Sequence, residues 1–264
     1  MKTISFLLAT TLLFFSCSSD ENSRLNEPNN EYVLTESIVE LGVAYGPESL
    51  QFLDIYKAAS ECPTPIYFDA HENGGTTAMP SSIIEDLNAL GITVIAWESL
   101  PAVNSPEEVA IGWNDAELMF EWVINHADTY NLDVSNMLIG GSSRGSILSW
   151  IYGHRPNPNI KGLYMYNALP GNAWNYPDWW LPTENVNLES PPIYFVYRRE
   201  PGSSTDLIDP DIHDPNNGIT IMDQYGTLGI GDRATLVHSI GETDNSDKYQ
   251  FLIDFTLSVL ETCP

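Results

Sequence analysis

The sequence predicts an α/β protein with a mainly parallel central sheet and helices on both of its faces. Two observations carry this. Short runs of consecutive apolar residues recur along the chain: Pro65–Ala70 (PIYFDA), Ile92–Trp97 (ITVIAW), Asn136–Gly140 (NMLIG), Gly162–Tyr166 and Ile193–Tyr197 (IYFVY). Such runs mark strands buried on both faces. Segments with helical spacing lie between most of them, and parallel neighbours need crossovers of that kind.

Taken in order, Ser37–Ala44 and Leu50–Tyr56 flank Tyr45-Gly46-Pro47 and read as a β-hairpin. Pro65–Ala70 is the third strand. Ser81–Leu90 is a helix stopped by Gly91, and Ile92–Trp97 follows as a strand. Pro106–Tyr130 places Val109, Trp113, Leu118, Trp122 and Val123 at helical intervals. Asn136–Gly140 is a strand, followed by a tight turn and the helix Gly145–His154. Gly162–Tyr166 and Ile193–Tyr197 are strands, Asn217–Tyr225 a helix, Ala234–His238 the last strand and Lys248–Leu260 the last helix. No repeat and no linker divides residues 37–264, so they form one domain, of a size that supports a single core.

Ahead of it, Lys2 precedes an apolar run from Ile4 to Phe15, too short to span a bilayer, and Ser16-Cys17 follows. Residues 1–16 read as an export signal. A small residue directly before a Cys at the end of such a run resembles the lipobox of bacterial lipoproteins. That resemblance implies cleavage before Cys17 and a lipid on its side chain. Ser18–Asn22 resembles the acidic export tag of surface lipoproteins in one group of Gram-negative bacteria, which implies the outer membrane or cell surface. Residues 17–36 then comprise the anchor and a polar, aperiodic tether.

The chain carries 36 Asp and Glu against 10 Lys and Arg, a formal net charge of −26. Such an acidic surface repels nucleic acid and anionic lipid head groups, so the membrane is reached only through the anchor. It also disfavours strongly anionic substrates, and it suits a soluble monomer.

The chemistry centres on Met137-Leu138-Ile139-Gly140-Gly141-Ser142-Ser143-Arg144-Gly145-Ser146. This is G-x-S-x-G between a strand and a helix, the setting of a nucleophile elbow. The turn is so sharp that flanking side chains would collide, hence the glycines. It presents Ser143 with the following helix dipole aimed at the reacting carbonyl. Upstream, His71-Glu72-Asn73-Gly74-Gly75 leaves the third strand. This resembles the HGGG oxyanion loop of esterases and lipases, and points to the N–H of Asn73 or Gly74, with that of Arg144, as oxyanion donors. The His71 side chain reads as structural. The Arg144 side chain is free to pair with an acid or touch substrate.

These features resemble the esterase-like branch of the α/β-hydrolase superfamily over roughly residues 40–260. Leu53-Asp54-Ile55-Tyr56 and Asp115 are similar to landmarks of that branch. Ser146 stands where a further Gly is usual. The resemblance implies a triad in the order Ser, acid, His, and His238, after the last strand, takes the position of the general base. A histidine base implies activity that falls in the acidic range. For the acid, Glu200, Asp206, Asp209 and Asp211 follow the penultimate strand. Asp209-Pro210-Asp211-Ile212-His213-Asp214-Pro215 is similar to the D-P-x-V-x-x-P run in which the first Asp is the triad acid, which favours Asp209 over Glu200. His213 reads as structural.

Asn172–Trp180 occupies the cap position. It is short, and its aromatics Trp174 and Trp179 suit an acyl pocket or a sugar platform. In this fold helices that follow strands end at the lower face. Cys62 precedes the third strand and Cys263 follows the last helix, which points to a disulfide between them. The resemblance implies an acyl-enzyme route without cofactor or metal, acting on small-molecule or polysaccharide esters. A serine peptidase or dienelactone-type hydrolase would use the same residues. A catalytically silent domain that binds glycan or protein would not need Ser143 and His238 in this order.

Overall fold

The structure, a computed structural model, describes residues 35–168, 182–203, 213–240 and 246–263. The signal, Cys17 and nearly all of the tether lie outside the described residues.

Strands β1 (Ile38–Ala44) and β2 (Phe52–Lys57) form the hairpin. β3 (Thr64–Ala70), helix α1 (Ser81–Ala89) and β4 (Thr93–Trp97) follow. Next come α2 (Pro106–Asn125), the short α3 (Ala127–Tyr130), β5 (Leu132–Ser142) and α4 (Arg144–Gly153). The chain continues through β6 (Ile160–Tyr166), the short α5 (Pro182–Asn185) and β7 (Ile193–Val196). It closes with α6 (Pro215–Thr227), β8 (Ala234–Val237) and α7 (Ser246–Val259).

The sheet order is β1-β2-β4-β3-β5-β6-β7-β8. The β1–β2 and β2–β4 pairs are antiparallel and every other pair is parallel. Alternation along each inner strand divides the core into two. Ile66, Phe68, Met137, Ile139, Leu163, Met165 and Phe195 pack on one face with Val109, Phe120, Trp150, Ile221 and Tyr225 of α2, α4 and α6. Tyr67, Val94, Leu138, Tyr164 and Val196 pack on the other with Ile83 and Leu87 of α1 and Leu252 and Phe255 of α7. The period of 2 in the strands meets an apolar stripe on each helix.

Two elements differ from the sequence reading. The long helix stops at Asn125, and Asn131 (φ 52°) takes the left-handed conformation that ends the next turn. Its side-chain amide donates to the carbonyls of Ser60 and Cys62 at 3.1 and 2.9 Å, which anchors the lower ends of β3 and β5. Strand β5 is correspondingly longer, beginning at Leu132.

Cys62 and Cys263 are bridged, with Cα atoms 6.1 Å apart and 201 positions between them in sequence. Asn136 donates to the Glu261 carbonyl at 2.7 Å beside the bridge. Closing so long a loop removes unfolded-state entropy worth at most about 5 kcal/mol, and natural bridges contribute about 2–4. Replacing both cysteines by serine should lower the unfolding free energy in urea by about 2–4 kcal/mol. Equal stability of the two proteins would show that the bridge contributes nothing.

Candidate active site

Ser143 sits between β5 and α4 with φ 49° and ψ −112°, a conformation that costs an L-residue energy. Sterics explain the motif around it. A Cβ on Gly141 would strike the backbone of Gly145 and Ser146, and one on Gly145 would strike the Ala70 carbonyl of β3. The Ser143 N–H donates to the Tyr166 carbonyl at 3.0 Å, which fastens the turn to β6. Ser146 donates from its hydroxyl to the Ser143 carbonyl at 2.6 Å, a bond that a glycine there would lack.

Ser143 Oγ lies 3.0 Å from His213 Nε2. His213 immediately precedes α6, whose N-cap, Asp214, accepts from Asn216 N at 2.8 Å and from Gly202 N at 3.0 Å. The sequence reading gave His213 a structural role, and the structure instead sets its ring on the elbow serine. His238, expected there, follows β8, with Nδ1 2.6 Å from Ser239 Oγ and 3.4 Å from Glu200 Oε2. The structure hydrogen-bonds Ser143 to His213, not to His238. The reason lies in tertiary placement. The start of α6 reaches over the elbow, whereas the His238 side chain turns toward the half-exposed loop after β7. Among the described residues, Glu200, the alternative acid, is the carboxylate that faces His238. Asp209, Asp206, Asp211, Trp174 and Trp179 lie outside the described residues, as does the cap segment.

The loop after β3 is fixed by its own hydrogen bonds. Gly74 (φ 73°) donates its N–H to the Pro101 carbonyl at 2.8 Å, so that amide is turned away from oxyanion duty. The Asn73 side chain clasps the backbone of Val103, accepting from its N–H at 2.9 Å and donating to its carbonyl at 3.3 Å. Ser142 donates to Glu72 Oε2 at 2.8 Å, tying the loop to the elbow. Arg144 opens α4, where the first amides have no partner within the helix.

The Arg144 side chain runs inward and is 1% exposed. Its Nε donates to the His71 carbonyl at 3.2 Å, Nη2 lies against the His71 ring, and Nη2 is 3.5 Å from Glu98 Oε1. His71 Nε2 is 2.8 Å from Glu98 Oε2, and Nδ1 is 2.8 Å from the Glu72 carbonyl. Glu98 further accepts from Ser99 N at 2.9 Å. This buried cluster bolts the β3 loop to the elbow. Below it Asp115, 5% exposed, accepts from Gln51 and Ser99 at 2.7 and 2.5 Å. Asp54 accepts from Gly42 N and the Thr77 hydroxyl. The sequence did not single out Glu98. Its signal was a carboxylate directly after a buried strand, at the end of the sheet where the elbow lies.

Burial pushes the Glu98 carboxyl up. The His71 hydrogen bond and charge, the Ser99 N–H and Arg144 outweigh burial and hold it below its usual value. A carboxylate whose pKa is depressed by folding adds stability above its unfolded pKa and loses it as pH falls through the folded value. The stability gap between wild type and Glu98→Gln, read by urea unfolding, should therefore narrow from about pH 6 to about pH 3. A constant gap would mean that the Glu98 charge contributes nothing.

No protein-family model matches this sequence, and no curated protein matches it. Solved structures do match in fold. A truncated carbohydrate esterase from gut microbiota superposes with a TM-score of 0.57 at 15% identity, over 85% of this chain and 96% of that one. Thermogutta terrifontis esterase 2, phosphorylated by paraoxon, gives 0.58 at 13% identity over 86% and 96%. Esterase B from Lactobacillus rhamnosis, with a bound inhibitor, gives 0.56 at 12% identity over 87% and 89%. The chain therefore has the α/β-hydrolase fold, a mainly parallel eight-stranded sheet between two layers of helices, which it shares with solved esterases.

Proposed function

We propose that this chain is a serine hydrolase that cleaves carboxylic esters through an acyl-enzyme. The observation that carries this is Ser143, strained at a glycine-flanked elbow with its hydroxyl on a histidine nitrogen. In this reading His213 Nε2 takes the Ser143 proton as Oγ attacks the ester carbonyl. The oxyanion forms opposite the N–H groups of Arg144 and Asn73, with the α4 dipole behind it. The imidazolium returns the proton to the leaving alcohol. Water, deprotonated by the same ring, then releases the acid. The carbohydrate esterase among the structural relatives supports acyl groups on polysaccharides as the substrate class.

A second reading of the base rests on His238, whose Nδ1 faces Glu200 at 3.4 Å as a triad histidine faces its acid. That leaves Nε2 for the serine once substrate is bound, since apo geometry does not exclude a base. A panel of p-nitrophenyl esters together with a fluorophosphonate probe tests the function. Turnover and labelling of Ser143 alone are expected, and no labelling of the wild type would end the hydrolase reading. We further propose a lipid on Cys17 and a place at the cell surface, supported by the signal and tag sequences. Palmitate labelling of the full chain is the test, and an unlabelled Cys17 would refute it.

A further inference from the structure

Beside the elbow is a cavity of about 270 Å³ on the α1–α7 side of the sheet. Gly141 and Ser142 form one wall and the β3 loop from His71 to Thr76 another, with Lys248 and Tyr249 of α7 opposite. Tyr166 joins the two sites: its carbonyl holds the Ser143 N–H, and its ring lines the cavity.

The lining breaks the pattern beneath it. On this face the strands present apolar core, Val94 and Leu138 among it. Tyr67 stands level with Val94 and Leu138, and toward the C-terminal ends the strands present Asp69, Tyr164, Tyr166 and Ser142 instead. A carboxyl in the core register of a strand is costly unless it is used. Asp69 accepts from Tyr67 at 2.8 Å, and burial raises its pKa against that bond. Lys248 lies in the first turn of α7, where the helix dipole disfavours a cation. Its ammonium sits 4.3 and 4.6 Å from the ring centres of Tyr166 and Tyr249 and donates no hydrogen bond among the described residues. It is one of only 10 basic residues in the chain.

The chemistry selects a ligand. An anion would meet Asp69 and Glu72, and a cation would meet Lys248. A neutral polyhydroxy group satisfies both, donating to the carboxylates and accepting from the ammonium and phenols, with its C–H face on tyrosine. The volume lies just under the range for drug-sized ligands, which suits a single ring.

We propose that this cavity is a subsite for one neutral sugar ring bearing the ester that Ser143 attacks. This rests on the hydrolase reading above. The test compares a monoacetylated methyl glycoside with p-nitrophenyl acetate. In Lys248→Met and Asp69→Asn, the ratio of kcat/KM for the sugar ester to that for p-nitrophenyl acetate should fall at least about tenfold through KM. Lys161→Met, a lysine at the far end of β6, should leave the ratio unchanged. Binding of the methyl glycoside and of the matching uronate, read by saturation-transfer NMR, is measured in the same proteins. Neutral glycoside binding that weakens in both cavity variants supports the subsite. An unchanged ratio, no glycoside binding, or tighter binding of the uronate would overturn it. A wild type that cleaves neither ester but binds the glycoside in this cavity would refute the hydrolase reading and leave the sugar site standing.

Discussion

Ser143→Ala should lower ester hydrolysis by about 10⁵-fold or more and abolish fluorophosphonate labelling, with the fold intact. The size follows from the chemistry. Without Oγ no acyl-enzyme forms, and what remains is the oxyanion N–H groups acting on free water. Stability should move the other way in Ser143→Gly. Ser143 holds φ 49° and ψ −112° because Gly141, Gly145 and the Ala70 carbonyl leave the turn no room to relax. Backbone strain of that kind costs about 1–3 kcal/mol in an L-residue, and glycine returns part of it in unfolded-state entropy. A net gain of about 1 kcal/mol in urea unfolding is expected, with activity gone. A destabilised Ser143→Gly with normal hydrolysis would refute both the strain and the catalytic role.

Legibility in the sequence followed the range of the interaction. The inner strands were readable because burial on both faces leaves unbroken apolar runs such as ITVIAW. The lower end of β5 was not, because Asp133 and Ser135 interrupt the run and Asp133 instead accepts from Ser135. The elbow was readable because its glycines answer a local steric demand. The clamp behind it was not. Glu98 meets His71 across 27 positions and Arg144 meets His71 across 73, and only the β4-β3-β5 neighbourhood brings the three together. The cavity was hidden for the same reason, since Asp69 inside PIYFDA looks like a minor break in a strand. The triad order pointed to a histidine after β8, yet nothing local marks which of two histidines tertiary structure sets on the serine.

That choice sets the second large effect. His213→Asn should lower kcat/KM for p-nitrophenyl acetate by about 10³-fold or more, because proton removal from Ser143 then falls to water. His213 Nε2 is 3.0 Å from Oγ, within reach for transfer without rearrangement. His238→Asn should cost far less, since its ring bonds Ser239 and Glu200 and stands 39% exposed. Asparagine replaces one ring nitrogen as a hydrogen-bonding group, so each variant keeps much of its local packing. The two readings separate further through Glu200. If His213 is the base, Glu200→Gln changes kcat little, because among the described residues its carboxylate pairs with His238. If His238 is the base, His238→Asn carries the large loss and Glu200→Gln falls with it, as an acid that orients the imidazole must. Equal, small losses in both histidine variants would mean that neither ring takes the proton. Ser143 would then need another base, and both histidine assignments proposed above would fail.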